Sequence, residues 1–208
     1  MKVYIVRHGL SVDMANGIYQ RPDSPLNGDG IKQANAAAVR FKDIPIDIIW
    51  SSPLRRSFET AQIINKIINK KLVLENLLEE EHRPSEIIGK EKTDIKSIEI
   101  VKKLNQNYGR IGYRYSDEDT FENLKTRASD ILQKLIKQKY DSILLVTHGD
   151  ISKMLLTTIF YQLKFPVSKY IQIQNLFSLS KGALSLLVFN PQIGWKIEFW
   201  NDKSHLEN

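Results

Sequence analysis

The chain has 208 residues, of which 42% are hydrophobic and 26% charged, as expected for a single globular domain. It contains no cysteine, which excludes a disulfide framework and a thiolate metal site. No apolar run is long enough to span a membrane, and the first predicted strand begins at residue 3. We therefore expect no membrane anchor, no signal peptide and a cytoplasmic location. The net charge of +6 comes without a basic run interleaved with aromatic residues, so no nucleic-acid partner is expected. An anionic substrate is favoured instead.

The N-terminal segment predicts a buried strand that ends in two cationic side chains. Residues 3–6 are β-branched or aromatic with little polar alternation, which indicates burial on both faces of a sheet. Arg7 and His8 follow at the carboxyl end of this strand, where open α/β sheets bind their ligands. Gly9 then allows a sharp turn or a close approach of the backbone to a neighbour.

The rest of the chain alternates predicted strands with predicted helices. Ser52 is expected to cap one of these helices, with Pro53 at its first position. Residues 76–118 do not fit the alternation and are predicted to form an insertion or cap over the site. The periodicities predict helices over 31–41, 53–68, 95–106, 121–138 and 151–163, and strands over 46–50, 71–74, 143–147, 184–189 and 195–200.

This order predicts an α/β fold, a three-layer αβα sandwich with a mostly parallel central sheet and an antiparallel edge. The two last strands form a hairpin at that edge. We expect one domain over residues 1–208, because no linker or solenoid repeat interrupts it.

The sequence Thr147-His148-Gly149 repeats the arrangement of a buried strand that ends in His-Gly. Two such histidines could be core residues, metal ligands, an acid–base pair, or a nucleophile with a phosphate-binding partner. A metal site is disfavoured, since the other histidines are His82 and His205 and cysteine is absent. Arg7 beside His8 favours a phosphoryl group, whose oxygens match the guanidinium fork.

The predicted helix start at residues 51–56 carries two further cations. Arginine in a first helical turn opposes the helix dipole and therefore favours an anionic partner. Arg55 can pair with Glu59 four residues later, whereas Arg56 is left for a ligand.

These segments together resemble the histidine phosphatase superfamily, also called the phosphoglycerate mutase-like family. The resemblance rests on Arg7-His8-Gly9, on residues 51–56 with Glu59-Thr60-Ala61, on Thr147-His148-Gly149, and on Asp23-Ser24-Pro25-Leu26 after the first motif. It covers most of the chain. It implies a phosphoric monoester hydrolase of the histidine phosphatase type.

The resemblance implies that His8 accepts the phosphoryl group and that Arg7, Arg56 and His148 bind its oxygens. No metal and no cofactor are expected, because side chains supply the positive charge. The family uses an acidic residue after the third strand as proton donor. Three adjacent candidates occur here, and Glu80 fits the spacing better than Glu79 or Glu81.

The loop after Gly9 departs from the family pattern, because Met14 stands where an asparagine is usual. Ser11 is predicted to bind substrate in place of the family's threonine, and Asn16 in place of the missing asparagine. The loop and residues 76–118 are expected to set specificity, for a small phosphorylated substrate, with a phosphoprotein as an open alternative. The alternative functions are a cofactor-dependent phosphoglycerate mutase and a non-catalytic phospho-ligand binding module. The apolar C-terminal hairpin offers an edge for a homodimer.

Overall fold

The computed structural model describes residues 1–206. Six strands form one sheet in the order β3-β2-β4-β1-β5-β6. The strands are β1 (Lys2–Arg7), β2 (Ile48–Ser51), β3 (Lys71–Leu74), β4 (Ser142–Thr147), β5 (Leu184–Asn190) and β6 (Gly194–Asp202). The helices are α1 (Val12–Ala15), α2 (Gly28–Arg40), α3 (Arg55–Ile68), α4 (Ile95–Asn107), α5 (Phe121–Ile136), α6 (Gly149–Tyr161) and α7 (Val167–Leu176).

The sheet is parallel through its first four strands. β2 pairs in parallel with both β3 and β4, and β4 pairs in parallel with β1. β5 runs antiparallel to β1, and β6 completes the edge as the second strand of a hairpin. The predicted fold class is confirmed. Because β1 to β4 point the same way, their carboxyl ends meet at one edge of the sheet.

Both faces of the sheet are covered, as near-continuous apolar strands require. Ile5 and Leu145 face one side, where they belong to a core that includes residues of α5 and α6. Val6 and Val146 face the other side, in a core with residues of α2 and α3. Each fully buried aliphatic side chain of this kind contributes about 1.5–3 kcal/mol relative to exposure. The two cores hold the carboxyl edge rigidly in place.

The start of α3 differs from the prediction. The helix begins at Arg55 rather than Pro53, and Ser52 is not its N-cap. The cap residue is Leu54, which provides no side-chain hydrogen bond. The carbonyl of Pro22 accepts the Arg55 N–H at 3.0 Å instead, so a distant loop supplies the acceptor for an otherwise free N–H group.

Helices α1 and α7 were not predicted from the sequence. Helix α6 begins at Gly149, two residues earlier than predicted. Helix α1 is a single turn inside the polar loop, too short to show periodicity. Helix α7 buries Tyr170 and Ile173, two residues in its ten, so its apolar pattern is weak.

Residues 76–118 contain α4 and build a small core of their own from Ile87, Ile100 and Leu104, against which Tyr19 packs. Main-chain hydrogen bonds join this segment to the loop after β1. Tyr19 N–H donates to the Lys90 carbonyl at 2.9 Å, next to a further bridge between the two segments. The role of the segment as a cap stays a prediction. Within the described part of the chain, no helix is both long and apolar enough to cross a membrane.

Candidate active site

The two His-Gly motifs lie side by side at the carboxyl edge of the sheet. Arg7 and Thr147 are register partners at the ends of β1 and β4, and His8 N–H donates to the Thr147 carbonyl at 2.9 Å. His8 and His148 are 1% and 0% exposed, and their ring centroids are 4.9 Å apart. The repeated motif seen in the sequence therefore forms one buried pair.

The hydrogen bonding of His8 fixes its reactive atom. Its Nδ1 lies 2.6 Å from the Gly9 carbonyl oxygen. A carbonyl only accepts, so Nδ1 carries the proton and Nε2 carries the lone pair. Burial, followed by the charges of Arg56 and Arg7, holds the pKa of His8 well below 6.5. The imidazole is therefore neutral near pH 7 and able to act as a nucleophile through Nε2.

His148 is held by two hydroxyl groups. Its Nε2 lies 2.9 Å from Ser52 Oγ and 3.1 Å from Ser57 Oγ. A hydroxyl that donates to Nε2 leaves the ring proton on Nδ1, which is buried and has no protein partner within residues 1–206. Burial, followed by Arg56 and His8, holds the pKa of His148 well below 6.5. In the tautomer that carries its proton on Nδ1, His148 offers a donor that has no protein acceptor among the described residues.

Arg7 and Arg56 surround the histidine pair and are each tied to a carbonyl. Arg7 Nη1 donates to the Leu179 carbonyl, and Arg56 Nη1 donates to the Arg21 carbonyl at 3.2 Å. The Nε of each arginine is buried without an acceptor in the part of the chain that the structure describes. Burial lowers the pKa of Arg56 to about 10, so it stays charged near pH 7. Buried guanidinium N–H groups that lack a protein acceptor favour the binding of an anion.

Glu80 completes the site from the irregular segment that follows β3. Its carboxylate accepts three main-chain N–H groups at the start of α6, from Gly149 and Asp150 at 3.0 Å and from Ile151 at 3.2 Å. The guanidinium of Arg127 binds the main-chain carbonyl of Glu80 at 3.2 Å. Burial and the charge of Asp150 raise the pKa of Glu80, against the opposing charges of Arg7 and Arg56. A carboxyl with a raised pKa beside two arginines suits proton transfer.

The two neighbouring glutamates have other partners. Glu79 pairs with His82 at 2.8 Å near the surface. Glu81 is buried away from the arginine pair, where its carboxyl accepts the Tyr108 hydroxyl at 2.8 Å and lies 3.6 Å from Arg83. Burial raises the pKa of Glu81 to about 7. These placements favour Glu80 among the three candidates, as the motif spacing does.

The loop residues Ser11 and Asn16 occupy different environments. Ser11 is 0% exposed and caps α1, where its Oγ accepts the Met14 N–H at 3.3 Å. The Gln20 side chain also donates to this hydroxyl, a partner that the sequence did not indicate. Asn16 lies exposed at the C-terminal end of α1. Substrate binding by Ser11 and Asn16 stays a prediction.

Several further residues of the site had no role predicted from the sequence. Ser57 and Thr60 lie on the buried face of α3, and Thr60 Oγ1 accepts the Gly9 N–H at 3.2 Å. Polar residues on an otherwise apolar helix face are a signal that could have identified them. Arg127 lies on α5 and Asp13 in the loop, and no local pattern distinguishes them from surface charges.

Two glycines are required by close approach. A Cβ on Gly9 would lie 2.3 Å from the Gly30 carbonyl oxygen, so this close contact between two backbone segments excludes any side chain at residue 9. A Cβ on Gly149 would lie 3.1 Å from Cζ of Arg7. The second glycine of the paired motif therefore makes room for the first arginine.

Known proteins are similar in sequence to this chain over nearly its whole length. The profile of the histidine phosphatase superfamily (branch 1) matches residues 3–203. Phosphoglycerate mutase-like protein 4 of Arabidopsis thaliana is 30% identical over 211 residues, which cover 99% of this chain and 87% of that protein.

Solved structures share the fold. The alpha-ribazole phosphatase from Shigella flexneri superposes with a TM-score of 0.83 at 19% identity, covering 98% of this chain and 97% of that one. Phosphoserine phosphatase from Entamoeba histolytica, in complex with 3-phosphoglyceric acid, superposes with a TM-score of 0.74 at 24% identity, covering 99% and 98%. Because the family profile spans nearly all of its length, the chain belongs to the histidine phosphatase superfamily, as its motifs predicted.

Proposed function

We propose that the protein is a metal-independent phosphomonoesterase that works through a phosphohistidine on His8. The observation that carries the proposal is the buried, neutral His8, whose Nδ1–H is bound to a carbonyl, beside two arginines with free Nε donors. Family membership supports an enzyme of the phosphatase type.

In the first step, Nε2 of His8 attacks phosphorus as the bond to the leaving oxygen breaks. Arg7, Arg56 and the Nδ1–H of His148 bind the phosphoryl oxygens and neutralise their charge. Catalysis then rests on positioning and electrostatics, which dominate phosphoryl transfer. Glu80 donates a proton to the leaving oxygen, a contribution of about 10²–10⁴-fold for a placed general acid.

In the second step, water attacks the phosphoryl group on His8. Glu80, now ionised, accepts a proton from the water and returns to its starting state. Inorganic phosphate leaves and His8 regains its free lone pair. Dividing the displacement at a nucleophilic histidine replaces one difficult step by two easier ones.

A phosphoglycerate mutase is the second candidate, because a full-length relative carries that name. A mutase would return the phosphoryl group from His8 to a hydroxyl of the substrate rather than to water. The substrate that we propose is a small phosphorylated molecule, in keeping with the 3-phosphoglyceric acid bound by one structural neighbour. A phosphoprotein is the alternative substrate, and the homodimer stays a prediction.

The test is to follow phosphate release from p-nitrophenyl phosphate in the presence of EDTA, with His8→Ala as the control variant. We expect turnover by the native protein and none by the variant. Loss of activity in EDTA would contradict metal independence. Incubation with 3-phosphoglycerate, with phosphate and 2-phosphoglycerate both measured, separates a phosphatase from a mutase.

A further inference from the structure

The loop after β1 contains an ion pair that the proposed mechanism does not use, between the buried carboxylate of Asp13 and the half-exposed guanidinium of Arg21. Asp13 is 0% exposed, and its Oδ2 accepts the main-chain N–H of Arg21 at 2.9 Å and the Arg21 Nε at 3.1 Å. Its Oδ1 accepts Nη2 of the same guanidinium at 2.6 Å. Asp13 N–H in turn donates to Ser24 Oγ at 3.1 Å. One carboxylate thus holds both the side chain and the main chain of Arg21.

The main chain of Arg21 leads directly to the phosphoryl site. Its carbonyl accepts a hydrogen bond from Nη1 of Arg56 at 3.2 Å. Arg56 is 3% exposed, and its Nε has no protein acceptor among the described residues. This carbonyl is therefore an anchor that orients the guanidinium of Arg56 while leaving Nε free for a ligand.

We infer that Asp13 is a positioning residue that fixes Arg56 through the main chain of Arg21. The inference rests on the proposed function, since it assigns Arg56 to the phosphoryl oxygens. The carboxylate of Asp13 binds Arg21 and makes no hydrogen bond to His8, His148 or Glu80 in the described part of the chain. Its charge also raises the pKa of Arg56, which opposes the effect of burial on this cation. Charge-assisted hydrogen bonds are strong enough to order a loop that would otherwise be mobile.

A second ion pair holds the same loop without reaching Arg56. Glu59 accepts the Leu26 N–H at 2.8 Å through one oxygen and Arg55 Nε at 2.8 Å through the other. Its partner Arg55 belongs to the half-exposed surface of α3. Glu59→Ala is therefore a matched control that loosens the loop at its other end.

The test is a double-mutant cycle between Asp13→Ala and Arg56→Ala, measured as kcat/KM for p-nitrophenyl phosphate and as Kd for inorganic phosphate. In the native background, Asp13→Ala should lower kcat/KM by about tenfold or more, as expected for a misplaced binding group. In the Arg56→Ala background, Asp13→Ala should lower kcat/KM by about twofold or less, because the guanidinium that Asp13 positions is absent. Glu59→Ala should stay within about twofold in both backgrounds.

An equal loss from Asp13→Ala in both backgrounds would overturn the inference, as would a loss from Glu59→Ala that matched it. If Asp13→Ala does not fold, Asp13→Asn replaces it, since the amide oxygen can still accept the Arg21 N–H. The loss from Asp13→Asn should be smaller and should again vanish beside Arg56→Ala; persistence there would refute the coupling. The Kd measurement needs no turnover, so a protein that bound phosphate without hydrolysing it would refute the proposed function and still test Asp13.

Discussion

The Glu80→Gln substitution separates proton donation from the architecture that holds the carboxylate. Oε2 of Glu80 accepts N–H groups from Gly149 at 3.0 Å and Asp150 at 3.3 Å, and Oε1 accepts from Asp150 at 3.0 Å and Ile151 at 3.2 Å. A glutamine must place its NH2 group against one of these sets. The loss of an acceptor for a buried N–H costs about 1–3 kcal/mol of stability.

The effect on rate depends on the leaving group. For an alkyl phosphate, whose alcohol needs a proton to depart, loss of the acid should lower kcat/KM by about 10²–10⁴-fold. That range corresponds to about 3–5 kcal/mol of transition-state stabilisation. For p-nitrophenyl phosphate, whose phenolate leaves unprotonated, the loss in kcat/KM should be much smaller. The assay is phosphate release from glycerol phosphate and from p-nitrophenyl phosphate by the same variant.

Glu81→Gln is the matched control, since Glu81 is also buried but contacts Tyr108 and Arg83. Glu81→Gln should leave unchanged the ratio of kcat/KM for glycerol phosphate to kcat/KM for p-nitrophenyl phosphate. Two results would refute the assignment of Glu80 as the acid. One is that Glu80→Gln lowers kcat/KM equally for both substrates, and the other is that the variant hydrolyses glycerol phosphate at the native rate.

Four further outcomes follow from the same geometry. Gly149→Ala should lower kcat/KM by about tenfold, since its Cβ would lie 3.1 Å from Cζ of Arg7 and the guanidinium must give way by a few tenths of an ångström; activity at the native level would show that Arg7 tolerates this displacement. Arg56→Ala should weaken binding of inorganic phosphate at least tenfold, measured by calorimetry, because a charge-assisted hydrogen bond contributes about 1.5–3 kcal/mol. The pKa of Glu81 is raised from 4.5 to about 7, so folding stability from this group is complete below pH 4.5 and is lost as pH rises through 7. Urea unfolding from pH 4.5 to 8 should therefore show the native protein losing about 3 kcal/mol relative to Glu81→Gln, and parallel curves would contradict the burial argument. Because the pKa of His8 is well below 6.5, kcat/KM should not fall through protonation of His8 between pH 7.5 and 6.5. A decrease in kcat/KM centred near pH 6.5, with an NMR titration that assigns this pKa to His8, would contradict its neutral state.

The sheet and the paired His-Gly motifs could be predicted because their signals are local. Strands such as 143–147 are apolar runs, and a residue at a strand's carboxyl end has one place to lie once the strands are parallel. Two motifs that are far apart in the chain are therefore placed at the same edge of the sheet, and the pairing of β1 with β4 makes them neighbours. The family resemblance then supplied roles for His8, Arg56 and Glu80, which these placements support.

The contacts that tune the site could not be predicted, because they depend on long-range geometry. Ser52 was expected to cap a helix from sequence position alone, yet its hydroxyl lies 2.9 Å from His148 Nε2. The carbonyl that binds Arg56 belongs to a loop 35 residues earlier, and no periodicity describes that loop. Nothing in the sequence distinguishes Asp13, which is buried, from a loop aspartate exposed to solvent.

The most direct test of the account is to trap the phosphoryl group on the enzyme. The protein is mixed with a phosphomonoester, quenched in base within the time of one turnover, digested, and analysed by mass spectrometry, with His8→Ala carried through the same steps. We expect a base-stable, acid-labile phosphate on the peptide that contains His8, and none on the variant. Phosphate on another residue, or active turnover by His8→Ala, would contradict the claim that His8 is the nucleophile.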